Sequence, residues 1–187
     1  MIYLMRHGLD DENFIGGWSD VDLIEEGIRQ VESVGEKLKS SNINIEKIIT
    51  SDVKRAVTTS KIIRDFYPNA EIEVNALFRE QNKGVLNGME KEKAKILYPE
   101  YFGFIAVDKT YEGGESLLDL YYRMKKCIDY ILSIEDDTLI ITHRGVINMI
   151  YYIFNNIELD MNKERFNVDH ASVHELNKGK RMIRKVF

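Results

Sequence analysis

The chain has a single cysteine, Cys127, among its 187 residues, which excludes an internal disulfide and any cysteine-rich metal framework. Its place in a helical apolar pattern makes it a core residue rather than a nucleophile. No segment reaches the apolar length of a membrane span. No run of lysine or arginine is long enough to form a nucleic-acid or membrane surface. The formal net charge is −5, so a chain of this balance must handle anions with a local cationic pocket. No charged stretch precedes the first apolar residues, and Arg6 interrupts them too early for a signal peptide; the expected compartment is the cytoplasm. Repeats, low-complexity tracts and linkers are also missing. With 44% hydrophobic and 30% charged residues, the expectation is one soluble domain over residues 1–187, long enough to bury a substantial core.

What the chain does have begins at once. Met1-Ile2-Tyr3-Leu4-Met5 is a short apolar run that ends in Arg6-His7-Gly8, the pattern of a buried strand delivering His7 to a sheet edge. Gly8 permits a tight turn there. Ile28, Val31, Val34 and Leu38 recur at helical spacing over 25–40, with acidic residues in the first turn. Residues 47–50 read as a second strand, and Ser51-Asp52 are placed to cap a helix over 53–66. A short strand is expected at 71–74. The stretch 78–111 is less regular and carries a helix around 90–97. Gly113-Gly114-Glu115-Ser116 starts the longest helix, to about residue 134, with Leu117, Leu120, Tyr121, Met124, Cys127, Ile128 and Ile131 as its buried stripe. Thr138-Leu139-Ile140-Ile141-Thr142 has the continuous apolar character of a central parallel strand. His143 follows, then a helix over 144–155, and 171–187 reads as two strands joined around Asn177-Lys178-Gly179. This order predicts an α/β fold: a three-layer αβα sandwich whose central sheet is mostly parallel and ends in a C-terminal hairpin.

Two histidines, His7 and His143, therefore end two strands, and ligands of open α/β sheets bind outside the carboxyl ends of strands. Arg55 lies in the first turns of the helix after the second strand, on the same rim. A cation there opposes the helix dipole; either an anionic ligand supplies the reason or the arginine is exposed and tolerated. Arg144 raises the same question. Phosphoryl transfer needs an in-line nucleophile, cations on the equatorial oxygens and an acid for the leaving oxygen. His7 can be that nucleophile, Arg6, Arg55 and His143 the clamp, and Glu80 the acid. A metal-dependent phosphoesterase could draw on His7, Asp10, Asp11, His143, Asp169 and His170, but no His-x-His or Glu-x-x-His spacing supports it, and it leaves Arg6 and Arg55 unexplained. His170 and His174 read as loop and strand residues near the pocket edge, His170 within reach of substrate. Gly114-Glu115-Ser116 lacks the following glycine of a serine nucleophile elbow. Asp20-Val21-Asp22 follows a glycine-rich loop rather than the apolar strand of an aspartyl nucleophile.

Taken together, these residues resemble the histidine phosphatase superfamily, also called phosphoglycerate mutase-like. The resemblance rests on Arg6-His7-Gly8, Gly17-Trp18-Ser19-Asp20 with Glu26-Gly27, and Ser51-Asp52-Val53-Lys54-Arg55-Ala56 with Thr59. It continues through Phe78-Arg79-Glu80 with Gly84 and Gly88, Gly113-Gly114-Glu115-Ser116, and Thr142-His143. It implies that His7 becomes a phosphohistidine and that Glu80 protonates the leaving alkoxide and then activates water. Arg6, Arg55 and His143 would hold the phosphoryl group, with His143 favouring its charged form. Asn13 and Gly17 would belong to the phosphate loop. Neither metal nor cofactor is needed, because cationic side chains stabilise the transition state. The chain departs from the pattern at Leu9 and Asp10, where an acidic residue and a threonine are frequent. It departs again at Arg144, where glycine is usual, and at Asp22-Leu23-Ile24. Arg144 could bind a carboxylate or second phosphate of the substrate, or lie along the surface.

The short stretch between Gly84 and Gly113 lacks the longer insertions of the family's phosphoglycerate mutases, and the Glu80-x-x-x-Gly84-x-x-x-Gly88 spacing resembles the phosphatase branch. The expected function is metal-independent phosphomonoester hydrolysis of a small phosphorylated metabolite. The alternatives are a phosphoglycerate-type phosphomutase and a non-catalytic module that binds phosphorylated ligands. Sugar phosphates, phosphoglycerate-type acids and a nucleoside-like monophosphate such as α-ribazole phosphate all stay open as substrates. Tyr98, Tyr101, Phe102, Phe104 and Tyr111 form either a lid over the leaving group or ordinary core. No nucleic-acid or membrane partner is expected, and a homodimer is among the open oligomeric states.

Overall fold

In the computed structural model, all residues except Phe104, Met161, Lys163 and Glu164 are described. Two apolar runs make the centre of the sheet, β1 (Ile2–Arg6) and β4 (Thr138–Thr142), paired in parallel. Every residue of β4 is buried, as expected of a strand covered on both faces. β2 (Lys47–Thr50) lies parallel to β4 on its other side, and β3 (Glu71–Val74) parallel to β2. Beyond β1 come β5 (Val173–Asn177) and β6 (Met182–Lys185), each antiparallel to its neighbour. The order is β3-β2-β4-β1-β5-β6, a parallel sheet closed by the C-terminal hairpin.

Alternation along the strands divides the core in two. Ile2, Leu4, Ile49 and Ile140 face one cluster, shared with α4 (Leu117–Ser133) and α5 (Arg144–Phe154). Met5, Ile48, Leu139 and Ile141 face the other, shared with α1 (Glu25–Ser40) and α2 (Lys54–Phe66). The sandwich therefore has its three layers. Leu120, Met124, Cys127 and Ile131 of α4 are buried, with Leu117, Tyr121 and Ile128 packed at the margin. Among the described residues, no helix is long and apolar enough to cross a membrane.

Two local expectations change. Neither Ser51 nor Asp52 occupies the N-cap of α2; Val53 does, without a side-chain cap. Ser51 Oγ instead accepts the Val53 N–H at 3.1 Å, while the Asp52 carboxylate is taken by the guanidinium of Arg79. The longest helix starts at Leu117, not at the glycines, because Ser116 and Asp119 form a reciprocal capping box. The helix expected around 90–97 is α3 (Lys91–Leu97). Tyr98, Tyr101 and Phe102 pack with Leu86, Ala94 and Tyr111 in a small separate cluster, so these aromatics are core; Phe104 lies outside the described residues.

Candidate active site

Register sets the site. Arg6 pairs with Thr142 across β1 and β4, so His7 and His143 leave the sheet at one level. Their ring centroids are 5.1 Å apart. A cavity of about 270 Å³ opens at this end, lined by Arg6, His7, Gly17, Arg55, Glu80 and Arg144 among the residues expected from the sequence. His143 is fully buried and is not among the residues that line this cavity. Asn13 is exposed, is not among the lining residues, and donates its amide to Asp11 Oδ1 at 2.9 Å.

His7 Nδ1 sits 2.7 Å from the Gly8 carbonyl, which can only accept, so Nδ1 carries the proton. The lone pair is thereby placed on Nε2, where Arg55 Nε–H donates at 3.1 Å. Burial first, then Arg55 and His143, hold the His7 pKa well below its ordinary value. The ring is therefore neutral at neutral pH, the form a nucleophile requires. The same physics corrects the expectation for His143. Burial, followed by Arg55 and Arg6, keeps it neutral as well, with Nε2 3.0 Å from Ser51 Oγ and Nδ1 without a partner.

Arg55 is not a tolerated surface cation; it is 2% exposed. Its Nη2 donates to Gly17 O at 2.9 Å and its Nη1 to Ser19 Oγ at 3.4 Å, which rigidly aims Nε at His7. Gly17 takes φ +62°, and a Cβ there would lie 2.3 Å from Asn87 Oδ1, so the loop needs glycine to present that carbonyl. Arg6 donates Nη1–H to Val168 O at 2.9 Å and Nη2–H to His170 Nε2. Burial and then Arg144 push its pKa down to about 10, which leaves it charged at neutral pH.

Glu80 lines the same cavity from a different segment. Its Oε2 accepts the Gly145 N–H at 3.1 Å and its Oε1 the Gln81 N–H at 2.9 Å. A carboxylate there meets the positive end of α5. Gly145 makes the approach feasible, since a Cβ would lie 2.1 Å from Glu80 Oε1. The segment carrying Glu80 has no regular structure of its own and is pinned from α4. Arg123 donates to the carbonyls of Leu77, Arg79 and Glu80 at 2.7, 2.9 and 3.0 Å. Its guanidinium is held in turn by Glu115 at 2.9 and 3.0 Å. Trp18 Nε1–H also donates to the Glu80 carbonyl, at 2.7 Å.

Sequence reasoning missed Arg123, Gly145 and Lys83. Arg123 falls off the apolar stripe of α4 and reads as solvated, and Gly145 is one glycine inside a helix. Lys83 lies in the aperiodic motif after Glu80. It lines the cavity and donates to Gln81 Oε1 at 2.6 Å and Tyr111 Oη at 3.0 Å. Burial lowers its pKa to about 8, with Glu80 opposing. Only the role of Glu115 had a visible signal, its place in the Gly-Gly-Glu-Ser motif.

Of the residues weighed as metal ligands, His7, Asp10 and His170 come together, their ligand atoms within 4.8 Å of one another. Both ring nitrogens face guanidinium N–H donors, from Arg55 and Arg6. A cation there would displace two arginines and sit beside their charge. Asp11 holds the amide of Asn13, and Asp169 pairs with Lys185 at 2.6 Å.

The chain is 31% identical over 131 residues to the 2,3-bisphosphoglycerate-dependent phosphoglycerate mutase of Bradyrhizobium sp. strain BTAi1, a match over 66% of this chain and 63% of that one. It is 34% identical over 163 residues to the fructose-2,6-bisphosphatase of Saccharomyces cerevisiae, covering 83% of this chain and 34% of that protein. The chain thus spans less than two thirds of the length of these relatives. The alpha-ribazole phosphatase of Shigella flexneri superposes with a TM-score of 0.79 at 16% identity, over 99% of this chain and 94% of the other, a likeness of fold alone. The family model of the histidine phosphatase superfamily, branch 1, matches residues 2–185, and the chain belongs to that family.

Proposed function

We propose that residues 1–187 act as one domain that hydrolyses phosphomonoesters of small metabolites, without a metal, through a phosphohistidine on His7. The observation that carries this reading is the tautomer: Nδ1–H is committed to the Gly8 carbonyl, and the Nε2 lone pair sits beside Arg55 in a cavity that Glu80 also lines. Nε2 attacks phosphorus while the ester P–O bond breaks. Glu80 delivers a proton to the departing oxygen, and the Nδ1–H bond to Gly8 steadies the charge that develops on the ring. Glu80, now a carboxylate, takes a proton from water as the water oxygen attacks phosphorus. The N–P bond breaks and inorganic phosphate leaves. Arg6 and Arg55 hold the equatorial oxygens throughout. His143 joins them only by presenting its buried ring to the cavity, where a dianion favours its protonated form and reverses the influence of the arginines. Asn13 would take part only by turning away from Asp11, and Arg144 and Lys83 face the leaving group.

Phosphate release from a panel of phosphomonoesters, with and without excess EDTA, tests this against His7→Ala. Chelator-resistant turnover that disappears in the variant is the expected result. Transfer of the phosphoryl group to a second hydroxyl in place of release would make the chain a mutase, as its relative in Bradyrhizobium is named. Phosphate-ester binding with neither reaction would make it a binding module.

A further inference from the structure

Among the carboxylates that line the cavity, Asp10 is the one placed against Arg55, the arginine that also meets His7. One of its oxygens lies 3.4 Å from Arg55 Nε, and the other lies 3.6 Å from His170 Nε2, the nitrogen that faces Arg6 Nη2. Its side chain is only 13% exposed. Burial alone would push the Asp10 pKa up, but contact with His170 and the fields of His7 and Arg55 carry it well below the usual carboxylate range, so it stays charged. Arg55 Nε–H has two acceptors within reach, His7 Nε2 at 3.1 Å and Asp10 Oδ2 at 3.4 Å. When Nε2 bonds to phosphorus its lone pair is consumed, and that N–H must turn to a phosphoryl oxygen or to Asp10.

We propose that Asp10 is a resident competitor for the phosphoryl subsite, holding Arg55 between turnovers and repelling retained phosphate, so that this chain binds inorganic oxyanions weakly and releases product quickly. The proposal rests on the phosphohydrolase reading. A dianion entering the cavity meets a fixed like charge next to the arginine it needs, in surroundings where water screens poorly. A threonine or asparagine at the same place would offer a hydrogen bond without that repulsion. Asp10 is in this sense a positioning residue: it acts on phosphate through Arg55.

The test is calorimetric titration of inorganic phosphate and of orthovanadate into the wild-type chain and into Asp10→Asn, Asp10→Thr and Asp10→Glu, with thermal unfolding to confirm each fold and steady-state kinetics alongside. The Asn and Thr variants should bind both oxyanions tighter by about tenfold or more, with kcat lowered by slow phosphate release and KM lowered further. The Glu variant, which keeps the charge, should show no such gain. Equal or weaker binding by folded Asn and Thr variants would overturn the inference and leave the phosphohydrolase reading intact. Absence of turnover by the folded wild-type chain in the same kinetics would overturn the phosphohydrolase reading and the inference with it.

Discussion

The two walls of the cavity are built by different means. The histidine wall is a product of the sheet: β1 and β4 end together, the Gly8 carbonyl sets the His7 tautomer, and Arg55 is buried in the first turn of α2. The Glu80 wall has no such frame. It is an irregular segment whose carbonyls are gathered by one arginine reaching across from α4, and whose carboxylate is received by the first turn of α5. Backbone ladders fix His7, whereas side-chain hydrogen bonds fix Glu80. Binding of the phosphoryl group and protonation of the leaving group should therefore fail separately under mutation.

The largest effect belongs to the histidine wall. His7→Ala should lower phosphate release by about 10⁴-fold or more, since the proposed step needs the Nε2 lone pair of that ring, and retained activity in a discontinuous phosphate assay would break the assignment. Next is Arg55→Ala, expected to cost about 10²-fold to 10³-fold in kcat/KM and to weaken vanadate inhibition in parallel. The opposite wall should give a smaller and more selective loss. Arg123→Ala and Gly145→Ala, which release or displace Glu80, should lower kcat by about 10-fold to 100-fold while vanadate affinity stays within about threefold of wild type. If affinity falls with kcat in those variants, the two walls are one unit and the comparison fails.

Acid should act through the buried histidines. His7, His143 and His174 are held neutral by burial, His174 down to about 4 against an ordinary 6.5. Their folded pKa values lie below the unfolded ones, so below about pH 6.5 the unfolded chain binds protons that the native chain refuses. Stability should be full above that pH and fall as pH drops, for His174 until it reaches about 4, by about 1.4 kcal/mol per pH unit for each such histidine. Urea midpoints between pH 7.5 and 5 measure this, and a flat profile would contradict it. The smallest effect on chemistry is expected from Tyr101→Ala. Its ring centroid lies 4.9 Å from that of Tyr111 and neither tyrosine lines the cavity, so the urea midpoint should fall while kcat/KM stays within about threefold. A large rise in KM would restore these aromatics as a lid.

The same division explains what was legible in the sequence. Periodicity exposes elements that bury a continuous face, and so the six strands, the amphipathic helices and both strand-ending histidines could be read from residue order. The motif led to Glu80 as a candidate, yet nothing local to it announces Arg123, which lies far along the chain in a helix whose visible signal is its apolar stripe. In the free chain the neutral state of His143 runs against the sequence expectation for a related reason. Sequence shows that cations gather around it, but only the fold shows that the ring is sealed from water among them. Asp10 stood out as an irregular residue without a partner until the loop after β1 brought it beside Arg55 and His170.

The start of α5 carries a mechanical consequence. His143, the N-cap residue of the helix, has its ring centroid 5.1 Å from that of His7, and two residues later the Gly145 N–H holds the carboxylate of Glu80. One turn thus behaves as a gauge block between His143 and Glu80. Thermal sway of the helix carries both ends of that gauge together, so the spacing between these two side chains can survive fluctuations that would put two independently mounted loops out of alignment.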